Sequence, residues 1–397
     1  MSQISSMPDM KTRVLTVMAT RDQDQDLVSS VAETYGVKSP NPSAWSKDEC
    51  IVPCFGWHPW FGHQMYISPA LEEKGISVIM QDAAADEKEE NLQGEDKIKH
   101  YQNVLLPTSS EPSEEYRQIY MSFPDPMPFS KFLRECRSHL EKHPYALVGE
   151  IGLDKAFRIP LAWASDSESK RDDSLTPGGR EGRRLSPFRT NPKHLTAIFK
   201  LQLQLAGAMR RAVSVHGVQC AGLVYQAIAD TWRGHENRTL SKRQKKKRGQ
   251  DHPSVDAEGQ EEEEEEEEEK KKAGSDKPLP YPPRICLHSY SGRADSFNEY
   301  LNPKNPAEIY ASFSTAINLG DDIDGPIPDN FEKVIKFVPD NMLLVESDLH
   351  TAGGEMDRRM EDIVRKICRI KGWGLEEGVQ TLGRNWRRFV FGTVEEG

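Results

Sequence analysis

No stretch of this sequence approaches the ~20 consecutive apolar residues of a membrane-spanning helix. The N-terminus, MSQISSMPDMKTR, lacks the apolar core of a secretory leader. Cysteine is scarce: the six residues Cys50, Cys54, Cys136, Cys220, Cys286 and Cys368 are scattered rather than spaced as a disulfide framework. Cys50 and Cys54 form a C-x-x-x-C pair, but no second pair completes a zinc site. Positive charge is not in excess either. The net charge is −11, and the nine glutamates Glu261–Glu269 account for most of it, leaving −2 for the rest. These absences argue against a membrane-spanning or disulfide-stapled protein and against a surface that attracts nucleic acid as a whole. The expectation is a soluble protein of a reducing compartment, cytoplasmic or nuclear, with no membrane partner.

What is present is a series of short apolar runs in a chain of 397 residues. They are Arg13–Ala19 (RVLTVMA), Ile51–Phe55 (IVPCF), Ala146–Gly149 (ALVG), Ala212–Val215 (AVSV), Arg284–Leu287 (RICL), Ile309–Phe313 (IYASF) and Leu343–Val345 (LLV). Brevity and polar boundaries are the pattern of buried parallel strands. Helical stretches fall between many of them: Asp22–Tyr35, Pro128–Lys142, Pro192–Arg211, Arg293–Leu301 and Asp329–Phe337. Alternation of this kind implies a parallel sheet. Seven runs are one short of a closed (β/α)8 barrel, so the count by itself leaves open a barrel, a doubly wound open sheet or a miscounted run.

Three polar segments interrupt the pattern, Asp82–Glu115, Ala164–Pro187 and Arg233–Pro283. They are expected to be disordered insertions, too polar to offset the entropy of ordering them. The last holds the basic cluster KRQKKKR (Lys242–Arg248), the glutamate run and PLPYPP. A basic cluster of this kind can serve nuclear import or tether nucleic acid. With nine glutamates nearby, a charge-balanced solvated loop is the favoured reading.

Chemistry-bearing residues follow the runs. His58 lies in GWHPW, Glu150 and Asp154 in GEIGLD, His216 in VSVHGVQ, His288 in ICLHSYSG and Asp348 in LLVESDLH. Singly, each has an ordinary explanation: a hydrogen-bonded structural histidine, a helix-capping Asp, a Glu in a turn. Together they would put imidazoles and carboxylates from five strands at one mouth of a parallel barrel. Carboxylates grouped there repel unless a cation lies between them. A divalent metal site therefore accounts for Glu150, and its glycine neighbours would let the backbone turn closely around it.

These motifs, in this order, resemble those of the TatD-type metal-dependent deoxyribonucleases, with GWHPWFGHQ similar to that family's Gly-x-His-Pro segment. The resemblance runs from Arg13 to about Phe391, and the wording HPWFGHQ and long insertions look most like a fungal branch named for association with the anaphase-promoting complex. It implies a TIM (β/α)8-type barrel, here lacking its first strand, that hydrolyses nucleic-acid phosphodiesters with two divalent ions (Mg, Mn or Zn). By resemblance Glu150 bridges both ions, His216 and His288 hold one, and Asp348 helps hold the other and takes part in activating water. His58 and Asp154 would support the ligands or the substrate. A protein partner of the anaphase-promoting complex is implied too.

The sequence departs from the family at its start. The family opens on a strand ending in His-x-His, which supplies two ligands of one ion, whereas no histidine here precedes His58. Either an upstream piece carries that strand or this member has lost it. As written, one metal site is incomplete and nuclease activity is expected to be greatly reduced. Two other functions compete with this reading. A metal-dependent amide or ester hydrolase of the same barrel class often uses a carbamylated lysine, and Lys155 lies beyond the turn. An adaptor retaining the hydrolase fold would use the charged insertions and PLPYPP for binding. Near the C-terminus, Trp386 and Phe389 in GRNWRRFVFG are read as packing residues of a last helix.

Overall fold

The computed structural model describes residues 4–81, 90–108, 111–163, 178–237 and 278–392. Seven strands form one sheet in sequence order: β1 (Leu15–Met18), β2 (Ile51–Phe55), β3 (Leu147–Asp154), β4 (Val213–Val218), β5 (Arg284–Leu287), β6 (Glu308–Phe313) and β7 (Leu343–Val345). Every pairing is parallel. The central strands are buried along nearly their whole length, which is why they read as unbroken apolar runs. Among the described residues no strand covers the outer edges of β1 and β7, and all four residues of β1 are half-buried. The sheet edges thus lie at the first and last strands in sequence, and the architecture is a barrel-type parallel sheet wrapped by helices.

The helices supply the outer layer. They are α1 (Asp22–Tyr35), α2 (Gly94–Val104), α3 (Glu114–Ser122), α4 (Phe129–Lys142), α5 (Pro192–Ala208), α6 (Ala221–Thr231), α7 (Asp329–Phe337), α8 (Gly354–Lys371) and α9 (Leu375–Phe391). The apolar stripe of α4, Phe129, Phe132, Leu133, Cys136 and Leu140, recurs at helical spacing and is buried throughout. α5 begins on Asn191, whose side chain accepts the Lys193 N–H, with Pro192 at its first position. Trp386 and Phe389 of α9 pack as expected, against Trp45 and Tyr310. A contact also reaches across the open edges. The Asp357 carboxylate, in the first turn of α8, accepts the backbone N–H groups of Lys11 and Thr12 and the Thr12 hydroxyl. The chain entering β1 is therefore tied to the helix that follows β7.

Three expectations change. β3 does not stop at Gly149 but continues to Asp154, and β4 continues past His216 to Val218. The expected helix Arg293–Leu301 is two short turns, Ala294–Phe297 and Asn298–Leu301. The segment Asp82–Glu115 is not wholly a solvated insertion: it contains α2, whose Ile98, Tyr101 and Val104 are buried with Tyr120, Phe123, Ile159 and Phe188 in a satellite core. Apolar residues at helical spacing within a charged stretch are enough to fold against a neighbour. Residues 82–89, 164–177 and 238–277 lie outside the described residues, including the basic cluster and the glutamate run. The PLPYPP segment is described and packs on the end of α5, where the Leu279 N–H meets the Gly207 carbonyl. All six cysteines are buried and unpaired, and among the described residues no helix is long and apolar enough to cross a membrane.

Candidate metal centre

The pairing of β3 with β4 shifts register between Val148 and Ile151, so β3 carries one extra residue across Gly149–Glu150. A bulge of this kind re-aims the side chain it carries. The glycines on either side make it possible. A Cβ on Gly149 would lie 2.8 Å from the Ser214 carbonyl oxygen, and one on Gly152 would lie 2.1 Å from that of His216. Both glycines also have positive φ, +155° and +147°. Glu150 is consequently a mid-strand carboxylate, 8% exposed, rather than a residue of a solvated turn.

Three imidazoles converge on it. Glu150 Oε1 lies 2.8 Å from His216 Nδ1, 3.6 Å from His288 Nε2 and 3.7 Å from His58 Nε2. The other nitrogen of His216, Nε2, lies 3.3 Å from Asp154 Oδ2, which also accepts the Trp60 indole N–H at 2.8 Å. Asp154 Oδ1 accepts the N–H groups of Ala156 and Phe157. On the far side of Glu150, His288 Nε2 lies 3.2 Å from Asp348 Oδ1, and its Nδ1 lies 2.9 Å from Glu346 Oε2 without an aligned hydrogen bond. Glu346 is held in turn by the hydroxyls of Ser289 and Ser312.

A family model described as TatD related DNase matches residues 16–391. The chain belongs to the TatD-related DNase family. It is 33% identical over 378 residues to the Cut9-interacting protein scn1 of Schizosaccharomyces pombe, with 95% of this chain and 91% of that protein covered. It is 22% identical over 325 residues to an uncharacterized deoxyribonuclease of Saccharomyces cerevisiae, covering 79% and 74% of the two chains. Among solved structures it is similar to the TatD homolog YjjV of Escherichia coli, with a TM-score of 0.47 at 13% identity and coverage of 99% and 92%.

All six residues singled out in the sequence of this TatD-family chain lie in one cluster, with Glu150 and His216 inside their strands and His58, His288 and Asp348 beyond the ends of theirs. Their grouping differs from the expected partition of His216 with His288. The ligand atoms within 4.8 Å of one another are those of His58, Glu150 and His216, while His288 stands with Asp348 on the other side of Glu150. His58 is engaged differently from a ligand. Its Nδ1 accepts the Trp60 backbone N–H at 3.2 Å, which places the proton of a neutral ring on Nε2, facing Glu150. Glu346 and Trp60 were missed. Glu346 directly follows β7, the same position that singled out His288 after β5, but the motif was read for Asp348 two residues on. Trp60 gives no sequence signal beyond its aromatic character.

The charges fit a cation. Burial would lower the pKa of His216, but its contacts with Asp154 and Glu150 push it up to about 9. Burial likewise opposes charging of His288, and the Glu150 and Glu346 carboxylates raise it well above the usual imidazole range. Burial opposes ionisation of Glu150 too, yet the His288 charge and the His216 contact hold it well below the carboxylate range. His58, by contrast, is lowered by burial and stays neutral. Four carboxylates (Glu150, Asp154, Glu346, Asp348) thus gather around the rings of His216 and His288, so that carboxylates outnumber the groups that can offset them. Once the ring protons are displaced, the nitrogen and oxygen donors of this carboxylate-rich cluster are of the kind a divalent ion takes.

Proposed function

We propose that this chain is a divalent-metal-dependent hydrolase of nucleic-acid phosphodiester bonds. The observation that carries the reading is the Glu150 carboxylate bulged into the mouth of the sheet between His216 and His288, in a cluster with more negative than positive charge. A divalent ion held there by Glu150, His216, His288 and Asp348 would polarise phosphoryl oxygens and make water a nucleophile at neutral pH. The protein's own groups have distinct tasks. Asp154 fixes the His216 ring, and Glu346 fixes His288. His58 presents its Nε2–H to a phosphoryl or leaving oxygen. Asp348, with its side chain 30% exposed, stands where solvent enters and takes the proton of the attacking water.

Among the described residues, the far side of Glu150 offers His288 and Asp348 as its donors, a set that would hold an ion there weakly. The test is cleavage of a single-stranded oligonucleotide and of bis(p-nitrophenyl) phosphate with Mg, Mn or Zn added, wild type against Glu150→Gln. Equal rates in the two proteins would sink the proposal.

A second reading is favoured by one comparison. The Schizosaccharomyces pombe relative is described by its interaction with Cut9, and a protein-binding role fits this chain as well. Glu150→Gln leaves such a role intact, whereas deletion of 238–277 removes it if the charged segment carries it. The deletion stops short of Pro278 because the proline-rich stretch is already packed on α5.

A further inference from the structure

The overall charge of −11 hides a basic arm rooted on the candidate site. The chain leaving β3 at Asp154 runs through 155–163 and is joined by 178–190. The Ile159 N–H meets the Phe188 carbonyl, the Ser186 N–H meets that of Ile159, and the Leu161 N–H meets that of Arg184. Those two described stretches carry six cations, Lys155, Arg158, Arg180, Arg183, Arg184 and Arg189, against one carboxylate, Glu181. Glu181 pairs with Arg183, whose guanidinium also lies over the Trp163 ring. Lys155, Arg158, Arg180, Arg184 and Arg189 are exposed, and among the described residues none has a carboxylate within ion-pairing distance.

Three of these guanidinium groups are instead held on backbone carbonyls. Arg158 donates to Ser186 O at 2.8 Å, Arg180 to Arg183 O at 2.9 Å and Arg189 to Ala156 O at 3.4 Å. A carbonyl orients a guanidinium without cancelling its charge, so the arm is preorganised for an anion. Its root is the metal centre itself, since the Ala156 N–H donates to Asp154 Oδ1 at 2.7 Å and the Phe157 ring stacks on Trp60 at 4.7 Å.

We infer that this arm binds the phosphate backbone of a nucleic-acid strand next to the metal centre. The inference rests on the reading of the site as a phosphodiester hydrolase, but binding and hydrolysis can be measured apart. The binding experiment uses a fluorescent single-stranded DNA oligonucleotide and the full chain in EDTA, titrated across a series of salt concentrations. Neutralising Arg158, Arg184 and Arg189 together as glutamines lowers the slope of log affinity against log salt by about 2, at roughly 0.7 per phosphate contact. The same residues changed to lysine keep the slope, which separates charge from folding. Hydrolysis of bis(p-nitrophenyl) phosphate by the glutamine variant stays at the wild-type rate. An unchanged slope in the glutamine variant overturns the inference, as does polyglutamate binding as tightly as DNA. Loss of diester hydrolysis in the wild type with the binding slope intact would count against the site and leave the arm standing.

Discussion

Glu346 Oε2 lies 2.9 Å from Nδ1 of His288, the ring whose Nε2 faces Glu150 at 3.6 Å. One imidazole thus joins a buried and a half-buried carboxylate, and the outer one is itself fixed by Ser289 and Ser312. The arrangement decides which nitrogen of His288 is turned toward a metal. Glu346→Gln is therefore expected to weaken divalent-metal affinity by about 10- to 100-fold while the melting temperature changes little. Titration calorimetry with Mn and Zn checks this. Unaltered affinity would show that the pairing is only structural.

Glu150→Ala removes the group on which all three imidazoles converge. Metal retained after dialysis, measured by elemental analysis, is expected to fall from a stoichiometric amount to background. Circular dichroism should show the fold retained, because the bulge depends on the glycines rather than on the carboxylate. Retention of metal by the variant would move the centre elsewhere.

The glycines offer a sharper test of how the site is built. Gly152→Ala would place a Cβ 2.1 Å from the His216 carbonyl oxygen at a φ of +147°. Overpacking and backbone strain together are expected to cost about 3 kcal/mol in urea unfolding. Gly222→Ala, in α6 with no heavy atom within 4 Å of the new Cβ, serves as the contrast. It should be neutral or stabilise by up to about 1 kcal/mol. Equal stability of the two variants would contradict the close approach of β3 to β4.

Acid sensitivity should come from a second histidine group away from the metal centre. His63, His100 and His194 join the turn after β2 to α2 and α5. His100 Nε2 lies 2.9 Å from the His63 carbonyl oxygen, and His194 Nε2 lies 3.1 Å from that of Gly62. Burial, aided by the neighbouring imidazoles, pushes His63 down to about 3 and His194 down to about 4. Both are neutral in the folded chain, while in the unfolded chain they take up protons below about 6.5. Their contribution is fully present above that pH and is lost as the pH falls toward 4. The loss is on the order of 1 kcal/mol per histidine per pH unit. Melting temperatures from pH 7.5 to 4.5 should decline less steeply for His194→Gln than for wild type. Parallel declines would remove this histidine from the account.

The strands and their order were legible because parallel strands are buried on both faces and leave short apolar runs, of which Ile51–Phe55, Arg284–Leu287 and Leu343–Val345 match to the residue. The site was legible as a set of strand-end imidazoles and carboxylates. β3 was misread at its end because a carboxylate breaks an apolar run, and nothing local to Gly149–Glu150 reveals that His216 and His288 will supply the compensating charge. Glu346 was passed over for the same kind of reason. Its importance lies in His288 and Ser312, which meet it only in the folded sheet.

Local order along the chain determined the parallel sheet, the helical layer and the residue types available at its mouth. Those follow from hydrophobic periodicity and turn chemistry, which act between neighbours in sequence. Tertiary structure decided which nitrogen faces which oxygen, that Glu150 rides a bulge, and that an acidic chain carries a basic arm beside its candidate metal centre. Those properties depend on distances of a few ångströms between segments remote in sequence, and electrostatic energy in a buried site is governed by such distances.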